Sequence, residues 1–331
     1  MNKVILLNQR PEGLPVESDF KFIEEEIPVP KTGEILLKTL YVSVDPYLRG
    51  RMKDVKSYIA PFKLGEPIQS ALITEVITSS NDKFKEGDFL LGYLDWKEYQ
   101  ISTGEGLTKV DPEAASLSSY LGILGATGLT AYMGLKEIGL PKPGETVIVS
   151  GAAGAVGNVV GQIAKIMGCR VIGLAGSDEK IELLKSKFQY DEGINYKTTK
   201  DLAAAIKEVC PEGVNIYFDN VGGEVSDAVY ENLTYKSRII VCGAVALYND
   251  VEPALAPRVE WRLVVHSATM SGFLLHDYSN QLPAAVQQLT KWFKEGKITQ
   301  SETIVKGFDQ IPNAFIGLFE GKNNGKMVVE I

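Results

Sequence analysis

The chain has 331 residues, 45% of them hydrophobic, and carries 34 Lys and Arg against 42 Asp and Glu for a formal charge of -8. That length predicts two domains, each able to bury its own core. The acidic balance has the wrong sign for neutralising phosphates and excludes nucleic acid as the main partner, while three scattered cysteines, Cys169, Cys210 and Cys242, describe no disulfide framework and fit a reducing compartment.

The start, "MNKVILLNQRPEG", has only four consecutive apolar residues, and no run approaches membrane-spanning length. A cytoplasmic protein without a membrane partner is expected. From Met1 to about Leu124, short apolar runs such as "EILLKTLYVSV", "SALITEVITSS" and "DFLLGYLDW" are broken by "KEGD" and "GEP", which predicts a strand-rich domain over 1–124. A helical segment, "GILGATGLTAYMGLKEIGLPKPGE", then leads into strand, turn and helix repeated over 125–292. The predicted strands are "TVIVSG", "RVIGLAG", "GINY", "VNIYFDNV", "RIIVCGAV" and "LVVHSATMSGF", separated by helices such as "DEKIELLKSKF" and "TKDLAAAIKEVC". The fold class is therefore α/β, with a doubly wound parallel sheet whose ligand sits at the carboxyl ends of the strands. Residues 293–331 end in an isolated "KMVVEI", which is expected to return to the first domain.

The stretch "VIVSGAAGAVGNVVGQIAK" carries Gly151, Gly154 and Gly157 between a strand and a helix, but Ala152 stands where G-x-G-x-x-G has its first glycine. Gly154 lets the backbone approach a pyrophosphate, Gly157 lets helix and strand pack closely, and the helix start offers free N–H groups. Ala152 is acceptable if its φ stays negative and Gly151 takes the sharp turn. At the next strand's tip, Ala175 and Gly176 are not the acidic residue that selects NAD. Ser177 reads as an N-cap, which puts Lys180 at N3, where a cation opposes the helix dipole. A 2′-phosphate of NADP held by Lys180 and Ser177 explains that placement; the alternative is a solvated lysine.

No C-x-x-C occurs, and the two histidines, His266 and His276, come late and fit a strand or loop, so no zinc site can be assembled. Tyr132 and Lys136 match Y-x-x-x-K, but they precede the glycine-rich turn and read as ordinary helix residues. The remaining proton donors near strand ends are Tyr248 of "GAVALYND" and Tyr47 with Arg49 of "VDPYLRGRM"; packing aromatics are the alternative.

"VDPYLRGRM", "GLTAYMGL", "AAGAVGNVVGQIAK", "GSDEK", "NYK", "FDNVGG" and "NNGK", in this order over nearly the whole chain, resemble the zinc-independent medium-chain dehydrogenase/reductases known as prostaglandin reductases and alkenal double-bond reductases. The resemblance implies a GroES-like partly closed β-barrel followed by a Rossmann domain, a homodimer, and NADPH-dependent reduction of the C=C bond of enals and enones without a metal. It implies that Ala153, Gly154, Ala155, Val156 and Gly157 cradle the pyrophosphate and that Gly176, Ser177, Lys180 and Tyr196 surround the 2′-phosphate. It further implies that Pro46, Asn220, Cys242, Phe273, Leu274, Leu275 and Asn323 line the cofactor, while Tyr47 and Tyr248 face the substrate.

Asn158 and Asn324 depart from the family pattern without touching the expected chemistry, whereas "NDVEPALAPRVEWRLVVHS" is unfamiliar and bears on substrate preference. The expected reaction delivers hydride to the β-carbon while Tyr248 donates a hydrogen bond to the growing enolate oxygen. A quinone reductase of the same fold and a non-catalytic NADPH-binding protein are the alternatives.

Overall fold

The computed structural model describes residues 1–331. Two units are distinguished: Met1–Leu121 with Glu302–Asn323 and Met327–Ile331, and Gly122–Ser301 with Asn324–Lys326. Short apolar runs give the first unit β1 (Asn2–Leu7), β2 (Phe20–Glu25), β3 (Ile35–Ser43), a one-turn helix α1 (Leu48–Arg51), β4 (Gln69–Ser79), β5 (Phe89–Asp95), β6 (Tyr99–Ser102) and β7 (Thr108–Val110). Burial largely alternates along β5, as expected for a sheet with one face on the core. Trp96 is fully buried, yet its indole N–H reaches the Ser70 hydroxyl at 2.8 Å, so the polar end of the ring keeps a partner.

The second unit opens with α2 (Ala126–Met133), prolonged by a π-helical turn over Gly134–Gly139. It continues through β8 (Thr146–Ser150), α3 (Gly157–Ile166), β9 (Arg170–Ala175), α4 (Asp178–Phe188), β10 (Glu192–Asn195), α5 (Leu202–Val209), β11 (Val214–Asp219), α6 (Gly223–Tyr230), β12 (Leu233–Val241), α7 (Glu260–His266) and β13 (Thr269–Gly272). The six strands pair in parallel in the order β10-β9-β8-β11-β12-β13. This is the doubly wound Rossmann order, and the winding reverses between β8 and β11, where such sheets open a crevice. Both of those strands are almost continuously apolar and buried, because helices cover both sheet faces.

One expectation is corrected here. The sequence assigned Leu263 to Phe273 to the sixth strand, but only Thr269–Gly272 is extended, and Glu260–His266 forms α7. His266 therefore ends a helix and does not lie in a strand or loop. A short apolar run does not distinguish strand from helix by periodicity. The parallel pairing of β12 with β13 decides the matter, since it needs a crossover, and α7 supplies it.

The chain then forms α8 (Leu282–Lys294), β14 (Glu302–Lys306), α9 (Ile311–Phe319) and β15 (Lys326–Glu330). Re-entry into the first unit falls at Glu302 and not at 293. The Gln162 side chain holds the intervening segment to α3, accepting from the Thr299 N–H at 2.7 Å and donating to the Thr299 carbonyl at 3.0 Å. In the first unit, β15 pairs antiparallel with β3, giving the order β14-β15-β3-β4-β5-β7 with β6 also on β3. This is the GroES-like, partly closed barrel. Neither β14 nor α9 was singled out in the sequence. No helix is long and apolar enough to cross a membrane.

Candidate active site

Gly151, with φ +58°, turns the chain at the end of β8, and Ala152 stays outside the left-handed region. The missing first glycine thus causes no backbone strain. A Cβ on Gly157 would lie 2.4 Å from the Gly151 carbonyl oxygen and 2.7 Å from the Ala152 Cα, so only glycine lets α3 start this close to β8. On Gly154 the nearest protein atom would be 3.1 Å away. The N–H groups of Ala155, Val156 and Gly157 have no acceptor within the protein, as at other helix starts whose first donors lie outside the helical ladder. The far side of the turn is fixed by Gly325, whose N–H donates to the Ala153 carbonyl at 2.7 Å.

The other expected cofactor residues follow the carboxyl ends of the parallel strands: Gly176 and Ser177 after β9, Tyr196 after β10, Asn220 after β11, Cys242 after β12, and Phe273 after β13. Ser177 is the N-cap of α4, with extended backbone and a hydroxyl that accepts the Lys180 N–H at 3.3 Å. A Cβ on Gly176 would meet the Tyr196 hydroxyl at 2.9 Å and the Lys197 Cε at 3.1 Å. Gly176, Tyr196 and Lys197 therefore share one corner. The Lys180 ammonium is held below the ordinary lysine range, first by burial and then by the Lys197 cation. An anion in this corner would relieve both lysines. Lys197 was missed in the sequence; its signal was its place directly after Tyr196 in "NYK".

Around the switch point the polar groups are tightly linked. The Asn220 N–H donates to the Ser150 hydroxyl at 2.9 Å and its side-chain amide to the Ser150 carbonyl at 2.8 Å. The loop after β12 hangs on the same turn, with the Ala246 N–H on the Val221 carbonyl at 3.0 Å. Burial, with help from Asp219, pushes the Cys242 thiol up to about 12, which makes it unreactive. Tyr248 folds back over its own loop so that its hydroxyl lies 3.4 Å from the Ala244 N–H. Burial first, then Cys242 and Asp219, raise its phenol above the usual tyrosine range against the Ala244 bond. Phe273 lies beside Gly134, where a Cβ would approach its ring to 2.9 Å, and the Leu274 N–H is taken by Asp277 at 3.1 Å. Leu275 opens a 3₁₀ turn just beyond.

In the first unit, Pro46 and Tyr47 are half-buried in the turn that starts α1, and Tyr47 packs on the barrel core. Arg49 is fully buried and donates to the Pro11 and Gly13 carbonyls at 3.0 and 2.9 Å, so it ties loops together and offers no proton to a substrate. Asn323 belongs to the first unit, directly before the Asn324–Lys326 piece of the second. His276 lies in an exposed 3₁₀ turn, while Tyr132 and Lys136 lie in α2 and its π-helical extension. No three His, Cys, Asp or Glu side chains gather where they could hold a metal ion.

Two family models match the chain: an N-terminal domain of oxidoreductase over residues 3–110 and a zinc-binding dehydrogenase domain over residues 155–291. YfmJ of Bacillus subtilis, provisionally named an NADP-dependent oxidoreductase, is 52% identical over 329 residues, covering 99% of this chain and 97% of that protein. The NADP-dependent 2-alkenal reductase of Nicotiana tabacum is 42% identical, covering 100% of this chain and 97% of that one. Among solved structures, CurA from Vibrio vulnificus in complex with NADPH matches with a TM-score of 0.95 and 41% identity, covering 99% of this chain and 98% of that chain.

Proposed function

The chain belongs to the zinc-independent medium-chain dehydrogenase/reductase family of NADP-dependent oxidoreductases, and on that premise we propose that it reduces the carbon–carbon double bond of α,β-unsaturated aldehydes and ketones with NADPH. The observation that carries the reading is Tyr248. Its oxygen accepts from the Ala244 N–H, so the phenol's own proton is left for another acceptor. A tyrosine hydroxyl is already protonated at neutral pH, and burial raises its pKa further.

NADPH supplies the hydride that adds to the β-carbon, and charge then grows on the substrate's carbonyl oxygen. The chain's residues bind and stabilise. The open N–H groups of Ala155, Val156 and Gly157 hold the pyrophosphate, and the Lys180, Lys197 and Tyr196 corner, capped by Ser177, takes the 2′-phosphate. Asn220, Cys242, Phe273, Leu274 and Leu275 shape the nicotinamide end. Tyr248 gives its hydrogen bond to the enolate oxygen, where it is worth more in the transition state than in the ground state.

A homodimer suits the same reading. The outer edge of β13 has no strand partner, and Leu255, Trp261 and Val264, in α7 and the segment before it, are 101%, 71% and 70% exposed, apolar surface that a second copy would cover.

The test follows NADPH absorbance with a long-chain enal, a linear enone and a simple quinone, with products identified by mass and NMR. Saturated aldehyde and ketone are expected. Quinone turnover alone would move the assignment to a quinone reductase, and tight NADPH binding without turnover of any of the three would make the protein a non-catalytic binder.

A further inference from the structure

The side chains that meet at the proposed 2′-phosphate corner come from two different strands. Gly176, Ser177 and Lys180 follow β9, whereas Tyr196 and Lys197 follow β10. The β9–β10 ladder ends at the pair Ala175 and Asn195, with one further bond from the Tyr196 N–H to the Ala175 carbonyl at 3.1 Å. Beyond it, ladder bonds no longer fix the spacing of the two segments.

Asn195 supplies what the ladder does not. Its Nδ2 donates to Oδ1 of Asp178, the first residue of α4, at 2.7 Å, while its Oδ1 accepts the Lys197 N–H at 3.1 Å. Its main-chain carbonyl takes the Thr199 N–H at 3.1 Å and the Thr199 hydroxyl at 2.7 Å, which closes the turn that carries Tyr196 and Lys197. That turn seats tightly against the residue before the α4 N-cap, since a Cβ on Gly176 would meet the Tyr196 hydroxyl at 2.9 Å and the Lys197 Cε at 3.1 Å.

We propose that Asn195 is a positioning residue for cofactor selectivity: its side chain spans the two segments, sets Lys197 against the corner that holds Lys180, and so favours NADPH over NADH. The inference rests on the reading of this corner as the 2′-phosphate site. The span needs a donor and an acceptor at the end of one short side chain, which asparagine combines. An aspartate at this position would still accept from Lys197 but would face Asp178 with like charge. Holding the turn in advance matters because a lysine on a loose turn would have to be ordered when the phosphate arrives, and that entropy would be subtracted from the affinity.

The affinities of the full-length chain for NADPH and NADH are measured by fluorescence titration at fixed ionic strength, and selectivity is read as their ratio. Lys197→Gln is expected to weaken NADPH about tenfold, the effect of a charge-assisted bond discounted for exposure, and to leave NADH unchanged. Asn195→Ala is expected to give a selective loss of similar size, and the double variant is expected to lose little more than either single one, because both act on one contact. Asp178→Ala separates a positioning bond from a charge effect. Removing a carboxylate near the phosphate would by itself tighten NADPH, whereas removing the partner of Asn195 weakens it, and a severalfold weakening is expected.

An Asn195→Ala protein with the parent's ratio, equal losses for both cofactors, losses that multiply in the double variant, or unchanged or tighter NADPH in Asp178→Ala would each overturn the proposal. A ratio that survives both Lys180→Gln and Lys197→Gln would refute the 2′-phosphate corner and the role of Asn195 with it. A ratio that falls in the lysine variants and stands in Asn195→Ala would refute the role of Asn195 alone.

Discussion

Replacing Gly157 by alanine puts the close approach of α3 to β8 under direct test. The new Cβ would stand 2.4 Å from the Gly151 oxygen, where ordinary contact begins at 3.4 Å, so the helix start must retreat by about 1 Å. Its neighbours on that side, Gly151 and Ala152, are backbone atoms at the end of a buried strand and cannot swing aside as a flexible side chain would. Overpacking of this kind costs about 1–3 kcal/mol. If the turn must recover its native position to bind, the same energy weakens NADPH by roughly 5- to 150-fold. Gly154→Ala is the milder comparison, because its Cβ meets a single protein atom, the Gly151 oxygen, at 3.1 Å. NADPH fluorescence titration gives the affinities and thermal melting gives the stability. Gly157→Ala should lose both affinity and melting temperature, whereas Gly154→Ala should lose affinity with little change in melting. A Gly157→Ala protein that melts and binds as the parent does would refute the packing argument, and a Gly154→Ala protein with unchanged affinity would remove the turn from the pyrophosphate site.

Three further outcomes are expected. Lys180→Gln should weaken NADPH about tenfold, a charge-assisted bond discounted for its partial exposure, while leaving NADH binding unchanged; equal losses for both cofactors would rule out a 2′-phosphate contact. Tyr248→Phe should lower kcat for an enone by roughly 100- to 1,000-fold, the usual effect of removing one oxyanion donor, with NADPH affinity retained; a loss below about tenfold would take Tyr248 out of the reaction. Trp261→Glu, an exposed aromatic of α7, should turn a dimer into a monomer in sedimentation, and a chain that is monomeric before the change would dispose of the dimer reading.

Much of the second unit was legible because its signals are local. The glycine spacing, the N-cap at Ser177 and the apolar strands need only a few neighbouring residues to act, and Gly151 takes the positive φ that Ala152 avoids. The sixth strand was misread because Leu263 to His266 is apolar in either conformation, and only the crossover between β12 and β13 makes it a helix. Re-entry at Glu302 was equally hidden, since it depends on Gln162 meeting Thr299 from 137 residues away. Arg49 looked like a donor in a promising motif, but the carbonyls that bury it come from Pro11 and Gly13.

The sequence by itself determined the two-unit α/β plan, the glycine turn and a lysine placed against its helix dipole, for these follow from spacing, periodicity and backbone freedom. Only the tertiary structure decided which side chains share an environment. It set Lys197 beside Lys180 and brought the Ser150 hydroxyl onto Asp219. Each of these depends on parallel strands distant in sequence ending at the same edge of one sheet, and the energies of charge and hydrogen bonding depend on distance in space.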